Sequence, residues 1–599
     1  MVIIMTTSVL YPVSNSYRDN KSLNGLWQFK FDPQKVGPAE HWERGLTDTI
    51  SMPVPGSFAD LFTDRESRDY TGDFWYQTDF YVPRDWDEQT LLVRFGSLTH
   101  RAVIYCNGVE ITTHEGGFLP VVADITAAVN AVTVNHLVIK LNNELSEATL
   151  PVGTTKTLPT GRLVAQPYFD FFNYAGIQRN VWLMTLPKQA ITDFDTVTTL
   201  QATTATLQYH VQSATGTITA QLCDADGQVV AENTGVAGKL VVSNPHLWQV
   251  RHAYLYTLKL QLQVAGQLVD AYQTSIGLRT VAVHGEQILI NDEPVYLKGY
   301  AKHEDFDVLG KAFNWSIVKR DFECMKWTNA NCFRTSHYPY AEEWYQMADA
   351  EGFLVIDEVP AVGMMQSTQN FADAGKGKFT HFFETPTVPT LKHNHITQVN
   401  EMIQRDKNHP CVFAWSLFNE PETTSTEAAT YFKDIFKAAR AADVQQRPCT
   451  GAFEKNSQPD TCQVYPLCDF ICLNRYYGWY INSGESFDEA TVAFKAELDQ
   501  WQAKHLHKPF VFSEFGTDNL VTEHKLPSVM WSQEYQNEFL QLYFDIFDEY
   551  SFIQGELIWN FADFQTNQGV LRVNGNRKGI FTRERQPKDA AFLVKKRWE

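Results

Sequence analysis

A change of apolar rhythm near residue 284 constrains this chain more than any other feature. Before it, Leu258, Leu260, Leu262 and Val264 are interleaved with Thr257, Lys259, Gln261 and Gln263, and Ala265-Gly266 then turns the chain. Period two sends alternate side chains to opposite faces, so this segment is a half-buried antiparallel strand. Similar runs cover residues 74–82, 91–95, 103–106, 137–141 and 181–186, with the hairpin pairs Asn107-Gly108, Gly116-Gly117 and Asp226-Gly227 among them. After residue 284 the apolar segments are short and almost unbroken, at 295–299, 331–337, 353–358, 412–420, 449–454, 470–477, 510–516 and 556–561. Helix-like stretches at 317–329, 341–351 and 397–406 lie between them. Strands apolar on both faces, alternating with helices, form a parallel sheet covered on both sides. Eight of them over about 300 residues suit a closed (β/α)8 barrel better than an open sheet.

At 599 residues the chain exceeds the roughly 250–300 that one core can serve. A seam at Leu186-Pro187-Lys188 splits the antiparallel half. The expected units are a β-domain over 1–187, a sandwich of immunoglobulin-like size over 188–283, and the barrel over 284–599. The balance of 50 Lys and Arg against 70 Asp and Glu gives a net charge of −20, the wrong sign for a nucleic-acid binder. No apolar run reaches the ~20 residues of a membrane span, and the apolar Met1–Met5 stretch is too short for a signal core. Nine cysteines are scattered, and the gaps between Cys462, Cys468 and Cys472 do not match the knuckles of a zinc site. His393 and His395 lack a third ligand. The expectation is a soluble cytoplasmic protein with reduced thiols, no metal and no membrane contact.

Barrels of this kind do their chemistry at the C-terminal ends of the strands. The fourth segment ends Phe418-Asn419-Glu420-Pro421 and the seventh ends Phe512-Ser513-Glu514-Phe515. Each places a carboxylate past an apolar strand, on opposite sides of the mouth. Glycosidic cleavage needs such a pair, one carboxyl to protonate the leaving oxygen and one to attack or to activate water. Asn419 could hold the hydroxyl at position 2 of a sugar. Asp357, Glu358, Glu454 and Asp563 also end strands, so position alone leaves the choice open.

Motifs through nearly the whole chain narrow it. They include the Phe169-Asp170-Phe171-Phe172-Asn173-Tyr174 stretch, Lys302-His303-Glu304-Asp305, Arg334-Thr335-Ser336-His337-Tyr338-Pro339, the Asn419-Glu420-Pro421 turn, Asn474-Arg475-Tyr476-Tyr477-Gly478-Trp479-Tyr480, and the block from Trp559 to Pro587. In these the chain resembles glycoside hydrolase family 2 and, within it, the β-glucuronidases. The resemblance implies a jelly-roll sugar-binding domain, an immunoglobulin-like sandwich and a catalytic (β/α)8 barrel, with Glu420 as acid/base and Glu514 as nucleophile of a retaining mechanism. It also implies a cofactor-free exo-β-D-glucuronidase acting on glucuronide conjugates or terminal β-glucuronic acid, and a homo-oligomer, tetramer or dimer. The alternatives are a β-galacturonidase or β-galactosidase of the same family and, in another class, a non-catalytic sugar-binding protein.

The residues leave an independent trace of a uronate. Arg572, Arg577, Lys578, Arg583, Arg585 and Lys588 face a single acid, Glu584, in the segment after the eighth strand. The bland reading is a solvated basic loop. By resemblance, Asn576 and Lys578 bind the sugar carboxylate with Arg572 nearby, and Arg577 between them points elsewhere. Tyr476 is expected to orient the nucleophile, Tyr480 and Trp559 to contact the sugar, and Asp170 and His337 to hydrogen-bond its hydroxyls. Residues 363–391, with Phe371, Phe379, Phe382 and Phe383 but no clear helical period, are expected to form an insertion contacting the aglycone.

Overall fold

Asn107-Gly108 and Ala265-Gly266 hold positive φ at both positions (52° and 79°, 51° and 80°) and close two-residue hairpins. That backbone hand matches the twist of the strands they join. The computed structural model describes residues 10–86, 88–365, 382–484 and 487–599. A six-stranded antiparallel sheet, ordered Ile50–Val54, Gly25–Asp32, Asp73–Phe80, Asn135–Asn142, Arg101–Cys106 and Val109–Glu115, packs on a four-stranded one. Phe29, Phe74 and Ile139 of the first meet Val93, Val121 and Leu183 of the second in one core. The next unit is an immunoglobulin-like sandwich of three and four strands, closed over Leu207, Leu240, Ile218, Leu258 and Leu260. Each large apolar side chain buried this way contributes roughly 1.5–3 kcal/mol.

The barrel strands are β1 (Leu297–Lys302), β2 (Cys332–Thr335), β3 (Leu354–Glu358), β4 (Val412–Asn419), β5 (Cys449–Phe453), β6 (Ile471–Asn474), β7 (Phe510–Glu514) and β8 (Ile553–Trp559). All neighbours are parallel, and β1 pairs with both β2 and β8, which closes the barrel. Closure is tight at Gly299, where a Cβ would lie 1.9 Å from the Cys332 carbonyl oxygen, so any side chain there would push β1 off β2. Among the described residues seven helices cover the barrel: α1 (Trp315–Trp327), α2 (Glu342–Glu351), α3 (Val388–Asp406), α4 (Thr426–Ala442), α5 (Phe487–Ala503), α6 (Gln533–Phe547) and α7 (Asp589–Trp598). Asn314, Ser425 and Ser532 cap α1, α4 and α6 by accepting backbone N–H groups.

Helix α3 begins at Val388, well before the expected residue 397. The polar His395 lies on its buried face ahead of the expected start and breaks the apolar period from which that start is read. His395 is held by the Tyr431 hydroxyl at 3.0 Å and the Leu417 carbonyl at 2.8 Å. The tail of the 363–391 segment is therefore helix and core: Phe382, Phe383 and Leu391 are buried, and Phe383 packs on Tyr431 and Phe432. Residues 366–381 lie outside the described residues. All nine cysteines are buried and unpaired, and among the described residues no helix is long and apolar enough to cross a membrane.

The first sandwich is fastened to the barrel mouth. Arg94, buried in its four-stranded sheet, donates to both oxygens of Glu342 at 2.8 and 2.7 Å. Arg179 reaches Glu304 at 3.0 Å and the Pro339 carbonyl at 2.7 Å, and Phe172 N–H donates to the Gln565 carbonyl. These bonds bring the loop carrying Asp170 over the strand ends.

Candidate active site

Glu420 and Glu514 stand at the ends of β4 and β7 in unlike surroundings. Glu514 accepts from the Tyr476 hydroxyl at 2.7 Å and from the Arg334 guanidinium, with His337 Nε2 3.7 Å away. Arg334 is wholly buried at the end of β2 and also faces Glu358 at 3.3 Å. Two donors directed at one carboxylate complement negative charge.

Among the described residues Glu420 has a single side-chain donor, the Asn474 amide at 2.9 Å, which also reaches the Asn419 oxygen at 3.2 Å. The Asn474 oxygen accepts from the Ser513 hydroxyl at 2.7 Å, which fixes the orientation of the amide. The backbone at Glu420 takes φ +48°, a left-handed conformation that costs a non-glycine residue on the order of 1 kcal/mol. Asn419 N–H to the Ala361 carbonyl and Glu420 N–H to the Ala452 carbonyl hold it there. Although Glu420 keeps some exposure at the opening, desolvation pushes its carboxyl well above the ordinary range, and the Glu514 charge adds to the shift. One carboxyl is thus favoured neutral and its neighbour is surrounded by donors, the division that acid and nucleophile require.

Of the other carboxyls that end strands, Asp357, Glu454 and Asp563 are engaged elsewhere, whereas Glu358 joins the site through His337 and Arg334. Asp357 accepts from Tyr345 and Thr335, and Asp563 from Lys588 and the Gly579 N–H. Glu454 bonds Asn456, and burial raises its carboxyl to about 7. Glu358 accepts from Ser416 at 2.6 Å and meets His337 Nδ1 at 2.8 Å. His337, 5% exposed and stacked on Trp559 with centroids 5.1 Å apart, therefore lies between Glu358 and Glu514.

A second cluster adjoins the pair. Tyr480, half exposed, packs on Tyr476 at 5.1 Å, and its hydroxyl accepts from Lys578 Nζ and from Arg572, each at 2.9 Å. Lys578 also donates to Asp518, and its backbone N–H bonds the Asn576 side-chain oxygen at 3.0 Å. Asn576 Nδ2 donates to Asp170 at 3.1 Å, and the Arg572 guanidinium grips the same carboxylate through two nitrogens. Burial would raise the Asp518 carboxyl, but Lys578 and Arg572 outweigh it and hold that carboxyl low. Arg577 points away, 3.4 Å from Asp563.

The basic segment is not a solvated loop: Lys578, Arg585 and Lys588 are at most 2% exposed. Each of its six cations has a carboxylate partner, with Arg583 on Asp60, Asp305 and Asp307, Arg585 on Asp321, and Lys588 on Asp563. All the residues expected at the site, Asp170, His337, Asn419, Glu420, Tyr476, Tyr480, Glu514, Trp559, Arg572, Asn576 and Lys578, belong to these two linked clusters. Arg334, Asn474 and Asp518 join them without having been singled out. Their signal was available, because each is polar and lies on or just beyond an apolar strand.

Comparison with known proteins gives the family of the chain. Residues 20–187, 189–279 and 281–599 match, in turn, the sugar binding domain of the glycosyl hydrolases family 2, the domain described as glycosyl hydrolases family 2, and that family's TIM barrel domain. The chain is 42% identical to the beta-glucuronidase of Paenibacillus borealis over 98% of each protein. It is 58% identical to the Ruminococcus gnavus beta-glucuronidase structure, with a TM-score of 0.98 and 99% of each chain covered. The same figures hold for that enzyme in complex with uronic isofagomine. Matched in order from residue 20 to its last residue, this chain is a member of glycoside hydrolase family 2.

Proposed function

We propose that the protein is an exo-β-D-glucuronidase that cleaves glucuronide conjugates or terminal β-glucuronic acid with retention of configuration and without a cofactor. In the first step a Glu514 oxygen attacks the anomeric carbon while Glu420 gives its proton to the leaving oxygen, so the bond to the aglycone breaks as an ester to Glu514 forms. In the second, the Glu420 carboxylate takes a proton from water, and the water oxygen displaces Glu514. Asn419 would hold the 2-hydroxyl, Asp170 and His337 other hydroxyls, and Tyr480 and Trp559 the sugar face. Asn576, Lys578 and Arg572 would receive the carboxylate. One observation carries the uronate assignment: the Lys578 ammonium lies 6.0 Å from the ring of Tyr476, whose hydroxyl is bonded to Glu514. A glucuronide bound with its anomeric carbon at Glu514 therefore brings its carboxylate toward a buried cation.

The division of the chain at 187/188 and 283/284, a cytoplasmic location and a homo-oligomeric state belong to the same proposal. The nine unpaired cysteines support the location. The 363–391 segment would meet the aglycone: the Met364 carbonyl accepts the Glu422 N–H, two residues beyond the acid/base, at 3.1 Å. The deciding experiment compares nitrophenyl β-glucuronide, β-galacturonide, β-galactoside and β-mannoside. The glucuronide should exceed the neutral galactoside and mannoside in kcat/KM by at least about tenfold, the effect of one charged hydrogen bond, and should also exceed the galacturonide, which shares the carboxylate and differs only at the 4-hydroxyl. A preference for galacturonide or a neutral sugar would overturn the assignment.

A further inference from the structure

Lys311 takes part in none of these steps, yet it is 5% exposed beside the site. Its ammonium lies 4.0 Å from the ring centroid of Tyr338, 4.2 Å from that of Phe171 and 5.2 Å from that of Phe118. Phe118 and Phe171 come from the first sandwich and Tyr338 from the loop after β2, so the cation sits at a junction of two domains. The rings form a cage: Phe118 stacks on Tyr338 at 4.5 Å, and Phe171 meets Tyr338 nearly edge-on at 5.7 Å. A cation taken from water is attracted to such faces more strongly than an exposed one. Two cage residues are chain neighbours of site residues, Phe171 of Asp170 and Tyr338 of His337. Phe171 also packs on His303 at 5.1 Å, and His303 bonds the Tyr338 hydroxyl and touches Trp559.

We infer that Lys311 is a positioning residue: its ammonium draws Phe171 and Tyr338 together and so fixes the Asp170 loop of the sandwich against Arg572 and Asn576 at the barrel mouth. Loss of that charge weakens glucuronide binding and leaves the chemical step alone. The inference rests on the glucuronidase reading, which activity of the unaltered enzyme tests separately.

The groups facing Lys311 are Asp305 and Glu304, which favour its charge, Arg179, which opposes it, and His303 and His100. Burial dominates and brings the ammonium down to about 7. An unfolded lysine titrates near about 10.4, so between about 7 and 10.4 the unfolded chain binds more protons. On this group's account stability rises with pH across that window. Below about 7 the full cost of a buried ammonium persists, so an apolar replacement should not destabilise the fold there.

The test is Lys311→Met and Lys311→Arg, with kcat, KM and Tm measured on nitrophenyl glucuronide at pH 6 and 8. At pH 6 the Met variant should show KM raised about tenfold, kcat within about twofold of the unaltered enzyme, and Tm unchanged or higher. The unaltered enzyme should lose affinity from pH 6 to 8. The Met variant should not show that loss, and the Arg variant, charged throughout, should keep KM low at both. An unchanged KM in the Met variant overturns the inference, as does a joint fall of kcat and Tm, which would mean packing alone. Should the Arg variant not fold, the pH dependence of the Met variant against the unaltered enzyme decides.

Discussion

Glu514→Gln is expected to abolish hydrolysis of every glycoside, whatever the leaving group, because an amide cannot form the glycosyl ester. The substitution keeps the length of the side chain and one acceptor oxygen for Tyr476 or Arg334, so the fold should survive. Glu420→Gln should behave differently. With dinitrophenol, which departs without protonation, the first step should proceed at close to the normal rate. With a poor leaving group it should slow by about 10²–10⁴, the usual contribution of a general acid. Azide, which needs no base, should speed the Glu420 variant by attacking the accumulated glycosyl-enzyme. The raised Glu420 carboxyl sets the pH dependence of the chemical step: the acid is lost as pH rises through its elevated value, so the alkaline limb of kcat should be Glu420's and vanish in the variant. The fold favours protonated Glu420, so this group's contribution to stability falls as pH climbs from the ordinary carboxyl range through that value. Glu420→Gln should therefore match or exceed the unaltered enzyme in Tm at neutral pH. Equal losses on good and poor leaving groups, with no azide effect, would refute the roles.

Lys578→Ala should impair glucuronide hydrolysis and spare the weak hydrolysis of a glucoside. A carboxylate entering this aromatic pocket leaves water behind and requires charged or paired donors. One hydrogen bond to a charged group contributes about 1.5–3 kcal/mol, or about 10- to 150-fold in kcat/KM. The fold adds a second effect. Asp518, fully buried, has Lys578 as its closest cation, with Arg572 next at 3.7 Å. Removing Lys578 leaves a buried carboxylate beside the incoming one, so the loss should lie at or above the upper end of that range. Adding Asp518→Asn to Lys578→Ala should then recover part of it. A glucoside has no carboxylate to repel, and its hydrolysis should change little in either variant. An equal reduction on both substrates would make the basic segment structural and end the uronate assignment.

The two rhythms of the sequence were enough to locate the sandwiches and all eight barrel strands, because pleat and double-sided burial act directly on local pattern. Helix α3 was read short because His395 is polar yet buried; its partners Tyr431 and Leu417 come from other elements. The basic segment was legible as charge but not as structure. Its partners Asp60, Asp170, Asp305, Asp321 and Asp518 are distant in the chain, so pairing that folding creates could not be read locally. Glu420 and Glu514 stood out by position, whereas their unlike surroundings, Arg334 and Tyr476 at Glu514 and Asn474 at Glu420, are assembled only by the closed barrel.

The account's central claim, a glucuronidase acting by double displacement through Glu514 and Glu420, is tested most directly by the anomer it releases. Proton NMR spectra taken during the first minutes of hydrolysis of a β-glucuronide, before the free sugar equilibrates, should show β-glucuronic acid accumulating first and the α-anomer rising later. Initial release of the α-anomer, or no release of glucuronic acid at all, would contradict it.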